Sequence, residues 1–342
     1  MMRRWLALAA LLLLAACSKA PLYQEQAYVF GTIVDVSIYG EDEAKARQGV
    51  AAVLAEFQRL HDLLHAWQPS ELSRLNAAIA QGKSYTVPTE VATMLQDAAA
   101  YAQRSGDTFN PAIGRLIALW GFHDDTFKAV LPDARNIAAL LKAQPQMSDL
   151  RFDGNTVSSR NRAVQLDLGG YAKGYALDRA AAILRAQGVR NALINIGGNV
   201  MALGTHGTRP WRVGIQHPRR SGALATLVLH DGEAVGTSGD YQRYFELDGK
   251  RFCHLIDPRS GWPAQGVQAV TVLTRGTQAG LRSDVTSKPL FIAGVNGWRQ
   301  AARDMQLEDA LLIDDQGRVH LSGDMQKRLE FADDKTVVIV EP

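Results

Sequence analysis

Residues 165–178 read Gln-Leu-Asp-Leu-Gly-Gly-Tyr-Ala-Lys-Gly-Tyr-Ala-Leu-Asp, an apolar strand end running into Gly169-Gly170 and then into a helix that carries Lys173. Glycines let a backbone approach an anion closely, and the N–H groups at a helix start point toward it. A phosphorylated ligand is therefore the first candidate. An ordinary strand-turn-helix junction is the alternative, because the spacing is neither G-x-G-x-x-G nor a Walker A loop. A second group lies at Phe252–Gly261, where His254, Asp257 and Arg259 fall within six residues at a strand end. Strand alternation sets Phe252, His254 and Ile256 on one face, and an imidazole there can exchange a proton near neutral pH or serve only the packing. Asp284 and Lys288, four residues apart in a helical stretch, share a helix face. They form a plain ion pair or jointly serve a pyrophosphate and its magnesium. Thr237-Ser238-Gly239-Asp240-Tyr241 reads as a small polar turn whose hydroxyls could bond a phosphate, and Asn195-Ile196-Gly197-Gly198 ends a strand in paired glycines, for ligand approach or for a tight connection.

These groups need a scaffold. Tyr28–Tyr39 alternates as a strand, and Glu43–Trp67 places Val50, Val53, Leu54, Phe57, Leu60 and Leu64 at helical spacing. Ser70–Asn76 follows as a short capped turn, and Thr89–Ser105 as a helix with Thr89 at its N-cap. Arg115–Trp120 and residues 134–148 read as helical, Val164–Leu168 as a strand, Lys173–Gln187 as a helix and Ala192–Ile196 as a strand. Strands dominate from Trp211, with hairpin signals at Asp248-Gly249 and Asp315-Gln316-Gly317. Helical character returns at 277–294 and 298–305, and Thr336–Val340 closes as a strand. Mixed elements without strict alternation indicate an α+β fold.

The chain of 342 residues opens with Arg3 and Arg4 and twelve apolar residues from Trp5 to Ala16. That run is too short to cross a bilayer and reads as an export signal. Leu14-Ala15-Ala16-Cys17 resembles the lipobox of bacterial lipoproteins, so Cys17 is expected to be lipidated and to become the mature N-terminus, in the periplasm, on a membrane. The expected division is a signal over 1–16, a tether over 17–26 and one catalytic domain over 27–342. Removing the signal takes the formal charge from +2 to 0, since it holds two arginines and no acid. No basic surplus remains for nucleic acid. Cys253 is the one other cysteine, so no internal disulfide or cysteine-based zinc site is expected.

Taken in order, seven segments resemble the ApbE family, the FAD:protein FMN transferases: Ser70–Asn76, Phe109-Asn110-Pro111 with Leu119–Phe122, Asp167–Gly174, Asn195–Gly198, Thr237–Tyr241, His254–Pro258 and Asp284–Gly294. The resemblance implies two intertwined lobes around an FAD cleft. It also implies transfer of FMN from FAD to a threonine or serine hydroxyl of a partner, with release of AMP. Implied acceptors are membrane-bound flavoproteins of respiratory electron transfer: ion-pumping NADH or ferredoxin:quinone reductase subunits (Nqr or Rnf type) and regulators of nitrous oxide reduction. Carried over position by position, His254 is the general base, Lys173 faces the phosphates, and Ala172 and Asp284 bind magnesium. Ser70, Asn76, Asn110, Gly169, Gly170, Thr237, Ser238, Asp240 and Tyr241 join the flavin site. One departure stands out: Lys288 occupies the place where the family has a metal-binding threonine. Either Lys288 supplies part of the magnesium's charge, or Thr286 or Ser287 becomes a ligand, or the metal is held weakly. An FAD pyrophosphatase yielding FMN and AMP, or a non-catalytic FAD-binding lipoprotein, would use the same residues.

Overall fold

The computed structural model describes residues 20–341 apart from Asp125, Phe127 and Asp334; Cys17 and the expected signal lie outside the described residues. Nine strands form one sheet in chain order: β1 (Leu22–Val29), β2 (Thr32–Tyr39), β3 (Ala192–Ile196), β4 (Asn199–Leu203), β5 (Ala234–Gly239), β6 (Val267–Thr274), β7 (Asp309–Asp314), β8 (Val319–Ser322) and β9 (Val338–Glu341). Every neighbouring pair is antiparallel except β8 with β9. The fold is α+β as expected, with smaller sheets beside the nine-stranded one.

The strand expected over Tyr28–Tyr39 is a hairpin. Phe30 and Gly31 turn it at φ 57° and 69°, so Leu22–Gln26, expected in the tether, pair with Asp35–Tyr39. The paired glycines Gly197 and Gly198 likewise serve a tight connection, between β3 and β4, and the Gly198 amide donates to Asn195 Oδ1 at 3.0 Å. Thr237-Ser238-Gly239 is the end of β5, in register with Ala269–Thr271, rather than a turn. Val164–Leu168 pairs as no strand. It is held by the Gln165 and Asp167 amides donating to the Ala112 and Pro111 carbonyls at 3.1 and 2.8 Å.

Between β2 and β3 the chain inserts α1 (Glu43–Leu64), α2 (Glu71–Ala80), α3 (Thr89–Arg104), α4 (Gly114–Leu119), α5 (Ala134–Ala143) and α6 (Ala172–Ala186). The α1 positions Val50, Val53, Phe57, Leu60 and Leu64 are all buried in the largest core cluster, where α1 packs on α6 and on the β1–β2 hairpin. Pro88, rather than Thr89, caps α3. α7 (Ala279–Asp304) crosses between β6 and β7 and joins the two expected helical stretches at Gly294, whose backbone is non-helical at φ 69°. Alternation along β6 sends Val270 and Val272 into the core beneath α7, and Ala269 and Leu273 into the opposite core. That second core is covered by the strands Trp211–Gln216, Ala223–Leu229 and Leu329–Phe331.

The crossing of α6 and α7 fixes the site. A Cβ on Gly174 would lie 2.5 Å from the Gly280 carbonyl oxygen and 2.6 Å from Asp284 Cβ, and one on Gly280 would lie 2.7 Å from the Gly174 oxygen. Asp178 of α6 accepts the Gly280 and Leu281 amides at 2.9 and 2.8 Å, so its carboxylate caps the first turn of α7 from outside. Ser238 of β5 bonds Ser287 of α7 at 2.8 Å, which registers the helix on the sheet. Gly174→Ala should cost about 2 kcal/mol by overpacking this contact. Gly323→Ala, where a Cβ meets nothing within 4 Å, should stay within about 0.5 kcal/mol. Equal melting temperatures for the two variants would contradict the packing described.

Candidate active site

The crossing brings Lys173, Asp284 and Lys288 together. Asp284 is buried, with 1% of its side chain exposed; its Oδ1 lies 2.6 Å from Lys288 Nζ and 3.9 Å from Lys173 Nζ, and its Oδ2 accepts the Gly174 amide at 2.9 Å. Burial alone would raise the carboxyl pKa; the Lys173 charge, then Lys288 and the Gly174 amide, outweigh it and hold the group down at about 2. Lys288 also donates to the Asp284 carbonyl at 2.6 Å. Burial lowers its pKa and Lys173 adds to the fall, while Asp284 opposes it.

The glycine turn does not work as a cradle of free amides. The Gly169 amide donates to Asp167 Oδ1 at 2.7 Å, and those of Tyr171 and Ala172 to the Leu168 carbonyl at 2.9 and 2.8 Å. With the Gly174 amide on Asp284, four of the local donors are already engaged. Attraction for an anion here therefore comes chiefly from the two ammonium groups. Lys173 Nζ is itself positioned by the Gly169 carbonyl at 2.9 Å. Gly170 clears a path: a Cβ there would sit 2.7 Å from Lys288 Cε.

His254 follows the strand Lys250–Cys253 and is held at Nδ1 by the Arg243 carbonyl, 3.2 Å away. Its ring meets Phe122 edge-on at 6.4 Å. Phe252 and Ile256 share one core cluster with Trp120 and Phe122, as the alternation required. The Trp120 indole donates to the Gly261 carbonyl at 2.8 Å, tying the α4 segment to the His254 loop. Burial, then the charges of Arg243 and Lys173, with a smaller share from Lys288, push the His254 pKa down to about 3. The imidazole is thus neutral at physiological pH and within electrostatic range of both lysines. Cys253 beside it is buried, with its thiol pushed up to about 12 by burial, so it packs rather than reacts.

Several expected ligand residues have their polar atoms committed to the scaffold. Ser70 caps α2, accepting the Ser73 amide at 2.9 Å and donating to the His65 carbonyl at 2.6 Å. Asn76 clasps both the amide and the carbonyl of Leu166, at 2.7 and 2.9 Å. Asn110 donates to the Pro145 carbonyl and accepts the Ala112 amide, each at 3.0 Å. These three shape the loops that present the glycine turn. Ser238 is bonded to Ser287, and Thr237 to Thr271 at 2.9 Å. Asp240 takes a two-pronged pair from Arg219 at 2.7 and 2.5 Å, with Arg251 at 3.6 Å. The Tyr241 ring folds back over Gly239. Asp178, Arg219 and Arg243 went unread in the sequence, since each acts on partners far along the chain.

The donor set does not suit magnesium. A small dication needs several oxygen ligands near 2.1 Å, whereas Asp284 offers one carboxylate whose two oxygens are already paired with an ammonium and an amide. Thr286 stands apart from it, its hydroxyl donating to the Arg282 carbonyl at 2.6 Å. Ser287 Oγ donates to the Asp284 carbonyl at 2.9 Å and meets Ser238. Ala172 adds only a neutral carbonyl at the start of α6. Among the described residues no group of three or more His, Cys, Asp or Glu side chains could hold a metal.

A meandering sheet with a lysine-aspartate-lysine cluster on a buried carboxylate at a helix crossing defines an α+β protein. The chain belongs to the ApbE family, whose pattern matches residues 30–312. It is 44% identical over 333 residues to an FAD:protein FMN transferase of Rhodobacter capsulatus, covering 96% of this chain and 63% of that relative. An FAD:protein FMN transferase of Klebsiella pneumoniae (strain 342) is 35% identical over 91% of this chain and 94% of its own length. The crystal structure of the ApbE protein of Thermotoga maritima superposes with a TM-score of 0.82 at 30% identity, over 90% of this chain and 99% of that one.

The depressed His254 pKa carries a stability consequence. Between about 3 and the ordinary histidine value near 6.5 the unfolded chain binds the proton and the folded chain does not, so this contribution is present above 6.5 and is lost as pH falls. His254→Gln should therefore narrow its stability gap to the wild type as pH is lowered from 7 to 4. Chemical denaturation at several pH values measures this, and a pH-independent gap would contradict the burial of a neutral ring.

Proposed function

We propose that this chain transfers FMN from FAD to a threonine or serine hydroxyl of a partner protein and releases AMP. The observation that carries the reading is the buried Asp284 holding Lys288 and Lys173 beside a neutral histidine, in a member of a family whose named relatives are FAD:protein FMN transferases. The acceptor oxygen attacks the phosphorus on the FMN side of the diphosphate, the bond from that phosphorus to the bridging oxygen breaks, and AMP leaves with that oxygen. The hydroxyl proton passes to His254, a base because its imidazole is uncharged. Lys173 and Lys288 meet the negative charge that grows on the phosphate oxygens.

The acceptor in this proposal is a membrane-bound flavoprotein of respiratory electron transfer, of the ion-pumping reductase type or a regulator of nitrous oxide reduction. The transferase faces it from the periplasm, anchored through lipidated Cys17. No helix among the described residues is long and apolar enough to cross a membrane.

Mature protein, FAD and an acceptor domain, followed by mass spectrometry, test the transfer. A gain of one FMN on the acceptor is expected; free FMN with unmodified acceptor means hydrolysis, and unchanged FAD means binding alone. His254→Ala should keep FAD binding and lose transfer by about 100-fold or more; full turnover would remove His254 from the mechanism. Labelled palmitate should enter the wild-type chain in cells and be absent from Cys17→Ala, and equal labelling of both would refute the anchor.

A further inference from the structure

Lys288 is held as a fixed charge. Its ammonium has three N–H donors; two go to the Asp284 carbonyl and Oδ1, both at 2.6 Å, and the third is left for a ligand. The stem is threaded over Gly170, where any larger residue would collide with Cε, and 15% of the side chain remains exposed. Lys173, anchored on the Gly169 carbonyl, has further donors to give. Two ammonium groups and one carboxylate leave the cluster with a net positive charge, which attracts an anionic diphosphate. A dication added there would raise that charge further and would have to displace Lys288 from Asp284 Oδ1.

We propose that the Lys288 ammonium is a built-in substitute for magnesium, so that this chain grips the FAD diphosphate with Lys288 and Lys173 and works without a divalent metal. The inference rests on the FMN-transfer reading above and specifies how that site meets its substrate. It also accounts for the committed state of Thr286, Ser287 and both oxygens of Asp284, which are bonded within the protein before any ligand arrives.

Calorimetry on the chelator-treated protein tests it with two probes, magnesium chloride alone and FAD. Magnesium alone should give no binding heat, and the FAD dissociation constant should change less than about twofold when magnesium is added. Lys288→Thr should weaken FAD binding in chelator about 10-fold or more, and magnesium should restore much of the loss. A wild-type protein that binds FAD only with magnesium, or takes up magnesium stoichiometrically by itself, would overturn the substitution while leaving FMN transfer standing. No FAD binding under either condition would overturn both. The wild-type titrations decide the matter even where the variant folds poorly.

Discussion

The contact on which the site depends is the close crossing of α6 and α7 at Gly174 and Gly280. Backbone meets backbone there because neither residue has a side chain, and that approach lets Asp178 reach over to the open amides at the start of α7. The same approach lets the Gly174 amide reach Asp284. A buried carboxylate is costly unless it is paired and hydrogen-bonded. Here the crossing delivers an amide from one helix and an ammonium from each of the two, so one packing constraint both orients and neutralises Asp284.

Electrostatics then divides the labour. Asp284 stays ionised because Lys173 and Lys288 overcome its burial, whereas His254 stays neutral because burial and the same cations act on it in one direction. The surrounding positive charge thus favours loss of the proton at both groups, leaving an anion that holds the lysines and an uncharged imidazole. The scaffold residues around it, Ser70, Asn76 and Asn110, act through backbone groups and keep the loops in register.

Much of this was legible in the sequence, and the parts that were not share a cause. The α1 face, the Asp248-Gly249 hairpin and the sharing of one helix face by Asp284 and Lys288 depend on local spacing, which a sequence displays. The β1–β2 turn was missed because Phe30 occupies a left-handed position usually given to asparagine or glycine. Val164–Leu168 has a strand's composition, yet its partners are loop carbonyls and Asn76, roughly 50 to 90 residues away. Asp178 reads as an ordinary helical acid until α7 arrives more than a hundred positions later. The family resemblance supplied names for Ser70, Asn76 and Asn110 but not the fact that their polar atoms are consumed by the scaffold.

The early start of β1 has a spatial consequence. With a lipid on Cys17, only five residue steps separate the acyl chains from Leu22, where the edge strand begins. Even fully stretched, that leash reaches about 17 Å. The proposed anchor would moor the folded body almost flush with the lipid headgroups and would confine its clientele to hydroxyls presented within a shallow layer above the bilayer.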